Sequence, residues 1–226
     1  MSIQRFMLAE DSSYATPYYV VKGKKSGPNM MIVAGIHGDE LGSILAAQKL
    51  VHSFQAKQMH IHKGTLIIVP IVNKRAYLKR KRGDSVDLNR TFPQTSAQSA
   101  KHPLSSALFQ LAKRYKPTWY LDLHEANGLS QKNPKRLGQT LITNPGNRCV
   151  PKLRYIINRM NSSIENRSHH FNLRLREKKG SSRTAVARIL KAQAVTVETC
   201  WSLNRTLRVN YQYEIITRFL TKSGLL

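Results

Sequence analysis

Cysteine is scarce in this chain, which has Cys149 and Cys200 as its two thiols among 226 residues. Two cysteines exclude a disulfide framework and a cysteine-rich zinc site. Both lie among apolar residues, where a free thiol behaves as a small hydrophobic side chain. We therefore expect two ordinary buried thiols.

Long apolar runs are also missing from the sequence. No run approaches the roughly 20 residues that are needed to span a bilayer. The first residues, MSIQRFMLAEDSSY, lack the basic segment followed by an apolar one that is typical of a signal peptide. These absences predict a cytoplasmic protein with no membrane span.

Acidic residues are few, because 12 Asp and Glu stand against 37 Lys and Arg and leave a formal net charge of +25. The basic residues are spread along the whole chain. Such a charge attracts polyanions, including nucleic acid, anionic cell-wall polymer and acidic lipid, and it steers acidic substrates towards the protein. A general solubility trait explains the same composition, so the charge alone names no function.

Apolar, β-branched runs alternate with longer amphipathic ones along the chain. The runs that predict strands are YYVVKG, NMMIVAG, GTLIIVPIVN, TWYLDLH, QTLITN and AVTVETC. Helices are predicted over 41–54, 104–115, 152–167 (with Pro151 in the first turn) and 206–221, and a long loop over 91–103. This alternation predicts one α/β domain over residues 1–226, with a twisted, mostly parallel mixed β-sheet and helices on both faces.

Charged residues cluster where three of the predicted strands end. His37 and Glu40 follow MMIVA, His124 ends WYLDLH, and Glu198 lies in AVTVETC. Sites in such sheets gather at the carboxyl ends of the strands. Catalytic zinc takes three protein ligands from His and carboxylate groups, so His37, Glu40 and His124 are candidate metal ligands. The pattern His-x-x-Glu alone is weak, because a single histidine is often structural.

Two further segments carry residues that suit amide hydrolysis. Asn89 and Arg90 in VDLNRTFP offer an amide and a guanidinium, which together hold a carboxylate by hydrogen bonds. Arg82, seven residues before Asn89, can stabilise an oxyanion. Glu198 is flanked by apolar residues, so burial should raise its pKa to suit a general base. A structural Lys or Arg partner is the alternative for Glu198.

The ordered motifs HGDE, DLNR, DLH and VET resemble those of the zinc metallocarboxypeptidase (carboxypeptidase A-like) superfamily. The short spacings are most similar to the succinylglutamate desuccinylase/aspartoacylase-like and murein peptide amidase branches. The resemblance covers roughly residues 30–201. It implies a zinc carboxypeptidase-like fold and one zinc ion bound by His37, Glu40 and His124.

The resemblance also implies a role for each remaining motif residue. Asp87 accepts a hydrogen bond from His37 and fixes its tautomer. Asn89 and Arg90 hold the free carboxylate of the substrate, and Arg82 stabilises the oxyanion. Glu198 is the general acid/base that takes a proton from a metal-activated water.

One segment departs from the pattern of the digestive carboxypeptidases. Those enzymes use a mobile tyrosine before the catalytic glutamate, and no tyrosine lies between Tyr155 and Glu198. The corresponding segment, REKKGSSRTAVAR, is basic and serine-rich. Arg183 and Arg188 are possible extra anion contacts there, but a solvated basic loop is the interpretation that we favour.

The leading hypothesis is a zinc-dependent hydrolase that cleaves an amide bond next to a free carboxylate. Its substrate is expected to be an N-acyl amino acid, a short peptide or a peptidoglycan stem peptide, and an esterase would have the same sequence features. The alternative is a basic polyanion-binding protein, for nucleic acid or cell-wall polymer, with a vestigial metal pocket. A third reading takes His37, His124 and Glu198 as satisfied polar residues of the core.

Overall fold

The computed structural model describes residues 3–226, and its eight strands form one sheet. The strands are β1 Ile3–Leu8, β2 Thr16–Lys22, β3 Lys25–Ala34, β4 Lys63–Val69, β5 Trp119–Ala126, β6 Thr140–Thr143, β7 Asn172–Leu175 and β8 Gln193–Cys200. The helices are α1 Leu41–Gln55, α2 Lys74–Leu78, α3 Pro103–Tyr115, α4 Val150–Asn161, α5 Ser182–Ile189 and α6 Arg205–Ser223, with short 3-10 turns at Leu88–Arg90 and Arg167–His169.

The strand order in the sheet is β1-β2-β4-β3-β5-β8-β6-β7. Strands β4, β3, β5 and β8 run parallel to one another at the centre, and β6 pairs with β7 in parallel. The other three pairings, β1 with β2, β2 with β4 and β6 with β8, are antiparallel. The predicted fold class, a mostly parallel mixed sheet, is confirmed.

Alternating side chains of the central strands pack into two separate hydrophobic cores, one on each face of the sheet. Met30 and Ile32 of β3 point to the face covered by α1, α4 and α6. Met31 and Val33 point to the opposite face, where α3 and α5 pack. Because both faces are covered, the central strands are apolar throughout, as expected for a buried parallel sheet. No helix within residues 3–226 is long and apolar enough to cross a bilayer.

Two predicted elements are longer than the observed ones. The strand expected over 64–73 ends at Val69, before Pro70, and Asn73 then caps α2 by accepting a hydrogen bond from the Ala76 N–H. The helix expected over 152–167 ends at Asn161, whose side-chain amide bonds to the backbone of Phe171. In both places an asparagine side chain bonds to the backbone beyond the end of the observed element.

Four elements, β1, β7, α2 and α5, were not predicted from the sequence. β7 has four residues, and α5 lies in the segment that was interpreted as a possible basic loop. Helix α5 starts at the Ser181 cap, where the Ser181 hydroxyl accepts from the Thr184 N–H, and it buries Ala185 and Val186 against the sheet. It is short and rich in polar residues, so its helical pattern is weak in the sequence.

Candidate metal centre and pocket

The carboxyl ends of β3, β5 and β8 bring the predicted site residues to one edge of the sheet. These strands are neighbours and run in the same direction. His124 of β5 is the direct cross-strand partner of Glu198 in β8, and His37 follows the end of β3. The strand order therefore explains why residues 161 positions apart share one site.

The turn between β3 and α1 requires glycine at two positions. Gly35 has φ +68°, a left-handed conformation that glycine adopts without strain. A Cβ on Gly38 would lie 2.1 Å from the Tyr77 backbone nitrogen, so only glycine allows α2 to pack against the turn. The close approach fixes the position of the turn that carries His37 and Glu40.

His37, Glu40 and His124 form a compact buried group, which we call the metal centre. Nδ1 of His37 lies 2.6 Å from Oε1 of Glu40, and Nδ1 of His124 lies 2.8 Å from Oε2. Their potential ligand atoms lie within 4.8 Å of one another, and each residue is at most 3% exposed. Two imidazoles and one carboxylate are the ligand set of catalytic zinc sites, so these residues fit one such ion.

The outer ring nitrogens of both histidines face aspartates. Nε2 of His37 lies 3.0 Å from Oδ1 of Asp87, and Nε2 of His124 lies 3.0 Å from Oδ1 of Asp122. With Nε2 of each histidine facing an aspartate, the two Nδ1 atoms are directed towards the Glu40 carboxylate. Asp122 was missed in the sequence, although it lies two residues before His124 and therefore on the same face of β5. Its other oxygen accepts a bond from the Ser182 hydroxyl at 2.6 Å.

Charge complementarity sets the pKa values of the metal centre. Burial acts to raise the pKa of Glu40, but the attraction of His124 and His37 outweighs it and holds that pKa well below its usual range. The hydrogen bond from His37 lowers the pKa of Asp87 in the same way. Burial acts to lower the pKa of each histidine, and the facing carboxylates nevertheless raise both. The group is arranged around a carboxylate that stays ionised.

Glu198 has the opposite electrostatic environment. Burial of its carboxyl group raises its pKa to about 8, and the negative charge of Glu40 adds to the rise while His124 opposes it. Its Oε2 atom is shielded from solvent and has no hydrogen-bond partner within residues 3–226. No Lys or Arg of that range forms an ion pair with Glu198, so the structural-partner alternative has no support.

The side chains of the predicted substrate-binding residues differ in their exposure to the pocket. Arg82 and Arg90 are exposed at the mouth of the pocket, where Arg82 contacts Glu40 at 3.3 Å and Asp87 at 3.4 Å. The Asn89 side chain is buried: its Oδ1 accepts from the Ser182 N–H at 2.9 Å, and its Nδ2 lies 3.2 Å from Nε2 of His124. Asn89 thus joins the metal centre to α5.

Arg90, Arg176, Lys178 and Arg183 line the same pocket of about 310 Å³, and we call them the cationic wall. The charge of Arg90 lowers the pKa of Lys178, as expected when two cations share one pocket. Arg176 and Lys178 form no ion pair within residues 3–226. Both lie in the basic segment REKKGSSRTAVAR and outside the four recognised motifs, so neither was predicted individually.

Arg183 and Arg188 lie on the same helix and have different environments. Arg183 is 2% exposed, and its guanidinium donates to Thr196, Asn144 and the Arg176 carbonyl, which are all neutral groups. Arg188 is exposed and pairs with Glu177. The solvated-loop interpretation is therefore wrong for Arg183, and Arg188 does not line the pocket.

The fold and the buried His–Glu–His group together define an α/β protein of the carboxypeptidase-like class. The structure is similar to carboxypeptidase A of Helicoverpa armigera (TM-score 0.70, 14% identity, 93% of this chain and 65% of that chain). It is also similar to mDAP-bound Csd4, a D,L-carboxypeptidase of Helicobacter pylori (TM-score 0.74, 21% identity, 92% of this chain and 54% of that chain). At these identities the likeness shows the fold.

The family model of the succinylglutamate desuccinylase/aspartoacylase catalytic domain matches residues 26–135. Over 80 residues the chain is 39% identical to the N-alpha-acetyl-L-2,4-diaminobutyric acid deacetylase of Halomonas elongata, an alignment of 34% of this chain and 22% of that protein. The chain spans about half the length of Csd4. The predicted resemblance to the zinc metallocarboxypeptidase superfamily is confirmed, and the matches support a hydrolase of the carboxypeptidase and deacylase type.

Proposed function

We propose that this chain is the catalytic domain of a zinc-dependent hydrolase that cleaves an amide bond next to a free carboxylate. The convergence of His37, Glu40 and His124 beside the protonatable Glu198 is the observation that carries the proposal. One zinc ion would be held by Nδ1 of each histidine and by the Glu40 carboxylate. When bound, it supplies a Lewis acid for the scissile carbonyl and lowers the pKa of a water molecule.

Glu198 moves the proton in the proposed reaction. It accepts a proton from the attacking water and passes it to the leaving nitrogen of the amide. Its raised pKa suits this role, because a general base works best when its pKa is near the operating pH. Its Oε2 has no competing hydrogen bond within the described chain, so it is free to bond to the reactants.

Arg82 and Arg90 orient the substrate in this proposal. Arg82 reaches the metal centre from the exposed side and stabilises the negative charge that develops on the carbonyl oxygen. Arg90 binds the free carboxylate through its planar guanidinium. The side chain of Asn89, which the motif assigns to the same carboxylate, already has two partners, so its contribution includes the placement of Arg90 and His124.

The substrate is an acidic N-acyl amino acid, a short peptide or a peptidoglycan stem peptide. The cationic wall supports an acidic substrate, because its four positive side chains favour bound anions and only Arg90, 3.5 Å from Asp87, is paired with an acid within residues 3–226. The names of the two relatives, an N-acetyl amino acid deacetylase and a D,L-carboxypeptidase, support the N-acyl and the peptide alternatives respectively.

A panel of four amides tests the proposal. N-acetyl-aspartate, N-succinyl-glutamate, a hippuryl dipeptide and a γ-D-glutamyl-diaminopimelate tripeptide are incubated with zinc-loaded protein, with chelator-treated protein and with Glu198→Gln. We expect chelator-sensitive cleavage of one member that is lost in the variant. Absence of cleavage of all four by zinc-loaded protein would contradict the proposed substrate class.

The surface charge supports a second, weaker proposal of nonspecific polyanion contact. Six of the 12 acidic residues lie in or beside the site: Asp39, Glu40, Asp87, Asp122, Glu125 and Glu198. The remaining six acids are outnumbered by 37 basic residues, so the exterior is strongly positive. Binding of a polyanion such as heparin should weaken steeply with salt and be unaffected by Glu198→Gln. Tight binding without detectable amide hydrolysis would favour the polyanion-binding alternative.

A further inference from the structure

Helix α1 begins directly after Glu40, and its own residues leave its first turn uncapped. The Glu40 side chain makes no capping bond, because both of its oxygens face histidines, and the first turn contains no acidic residue. The first N–H groups of a helix need acceptors, which usually come from the residue at the cap. The acceptor must therefore come from elsewhere in the chain.

Glu125 supplies that acceptor and also contacts the metal centre. Its Oε2 accepts a hydrogen bond from the Gly42 N–H at 2.8 Å, across 83 residues of sequence. Its own backbone N–H donates to Oε2 of Glu40 at 3.1 Å. Because Glu125 directly follows His124, one residue touches the start of α1 and two members of the metal centre.

Helix α6 holds Glu125 in place. Nη1 of Arg208 donates to Oε1 of Glu125 at 2.7 Å, and the side chain of Glu125 is fully buried. One turn further along α6, Gln212 donates to the backbone carbonyl of His124 at 2.8 Å. Two side chains on one face of α6 thus contact consecutive residues of β5.

Gly42 leaves room for the Glu125 carboxylate because it has no side chain. A Cβ at this position would lie 2.3 Å from Oε1 of Glu125 and 3.2 Å from Cβ of Arg208. Glycine within a helix is destabilising relative to alanine, so its presence requires a reason. The reason here is space, because any side chain at position 42 would displace the carboxylate.

We propose that Glu125, held by Arg208, is a positioning residue that fixes Glu40 and His124 for metal binding without binding the metal itself. The inference rests on the proposed metal centre. A buried ion pair is a poor source of stability, because desolvation of both charges offsets their attraction. Its geometry supports a positioning role, since its partners are the helix start and the strand end that carry two proposed ligands.

Zinc affinity, measured by competition with a chromophoric chelator, tests the inference. Glu125→Gln and Arg208→Met should bind zinc about 10- to 100-fold more weakly than the unmodified chain, as is typical when a residue that orients a metal ligand is removed. Arg208→Lys should recover part of the affinity. The matched controls are Glu214→Gln and Arg218→Met, which break a partly exposed ion pair on the same helix and should leave zinc affinity unchanged.

A double-mutant cycle separates positioning from loss of stability. Gly42→Ala should weaken zinc binding, and the combination with Glu125→Gln should cost less than the sum, because the added Cβ and the lost carboxylate disturb the same contact. The absorption spectrum of the cobalt(II)-loaded variants should also change, since it reports ligand geometry. If Glu125→Gln does not fold, Arg208→Met and Gly42→Ala provide the same two readouts.

Two different failures can be distinguished. If the unmodified chain does not bind zinc, the proposed metal centre is wrong. If it binds zinc and the folded Glu125 and Arg208 variants bind it equally well with an unchanged cobalt spectrum, the metal centre stands and the positioning role is overturned.

Discussion

The metal centre and the cationic wall face the same pocket, but their charges are balanced in opposite ways. In the metal centre both histidines face carboxylates at 2.6–3.0 Å. In the cationic wall the buried Arg183 has only neutral acceptors, and Arg90 lowers the pKa of Lys178. A buried cation without an anionic partner is costly. In our proposal a zinc ion completes the first region, and an acidic substrate supplies the negative charge that the second region lacks.

Loss of the metal centre should reduce hydrolytic activity more than any other change to this pocket. Chelation of the metal, or Glu40→Ala, should lower kcat/KM by about 10³-fold or more, because several kcal/mol of transition-state stabilisation is lost. The measurement is the hydrolysis rate on whichever panel substrate is cleaved, with Glu214→Gln as the control. Full activity in the Glu40 variant would show that another site performs the chemistry.

Glu198→Gln should cause the next largest loss of hydrolytic activity. Removal of a general acid/base lowers kcat by about 10²–10⁴-fold, while the neutral amide keeps the shape of the side chain. Zinc affinity should change little, since Glu198 is not a proposed ligand. Steady-state kinetics and a zinc titration of the same preparation test both statements, and a large loss of zinc affinity would instead make Glu198 part of the metal centre.

Substitution of the two arginines of α5 should affect stability to different extents, because Arg183 belongs to the cationic wall and Arg188 lies on the outer surface. Arg183→Gln should lower the free energy of unfolding by about 2–4 kcal/mol, because it removes two buried hydrogen bonds and one partly buried one and leaves acceptors unsatisfied. Arg188→Gln, which breaks an exposed pair, should cost about 0.5 kcal/mol or less. Urea unfolding of both variants provides the measurement, and equal effects would contradict the difference in environment.

A smaller effect concerns the pH dependence of stability in the metal-free protein. Folding raises the Glu198 pKa from about 4.3 to about 8, so the folded state binds this proton more tightly than the unfolded state. The associated stability is complete below about pH 4 and is lost as pH rises towards 8. Glu198→Gln cannot titrate, so its stability relative to the unmodified chain should increase by about 1 kcal/mol or more from pH 5 to 8.

Urea unfolding of the metal-free proteins at pH 5, 6.5 and 8 measures that difference. Added zinc should reduce it, because a nearby cation stabilises the ionised carboxyl group. A difference that is constant across the range would mean that Glu198 is not shielded from solvent in the folded chain.

The two regions also differ in how well the sequence predicts them. The candidate ligands could be predicted because His37 and Glu40 lie three residues apart and because central strands carry clear apolar runs up to His124 and Glu198. Arg90 and Arg183 of the cationic wall were named from the sequence, but the burial of Arg183 could not be predicted, because it depends on the docking of α5, a short helix whose polar sequence resembles a loop. Glu125 and Asp122 were missed for a related reason, since their partners, Gly42, Arg208 and Ser182, lie 60 to 83 residues away.

Anomalous diffraction at the zinc edge, from crystals grown with one equivalent of zinc, tests the central claim most directly. We predict a single strong peak between Nδ1 of His37, Nδ1 of His124 and the Glu40 carboxylate, and no such peak in Glu40→Ala crystals. A peak at another group of side chains, or no peak in the unmodified protein at saturating zinc, would contradict the assignment of the metal centre.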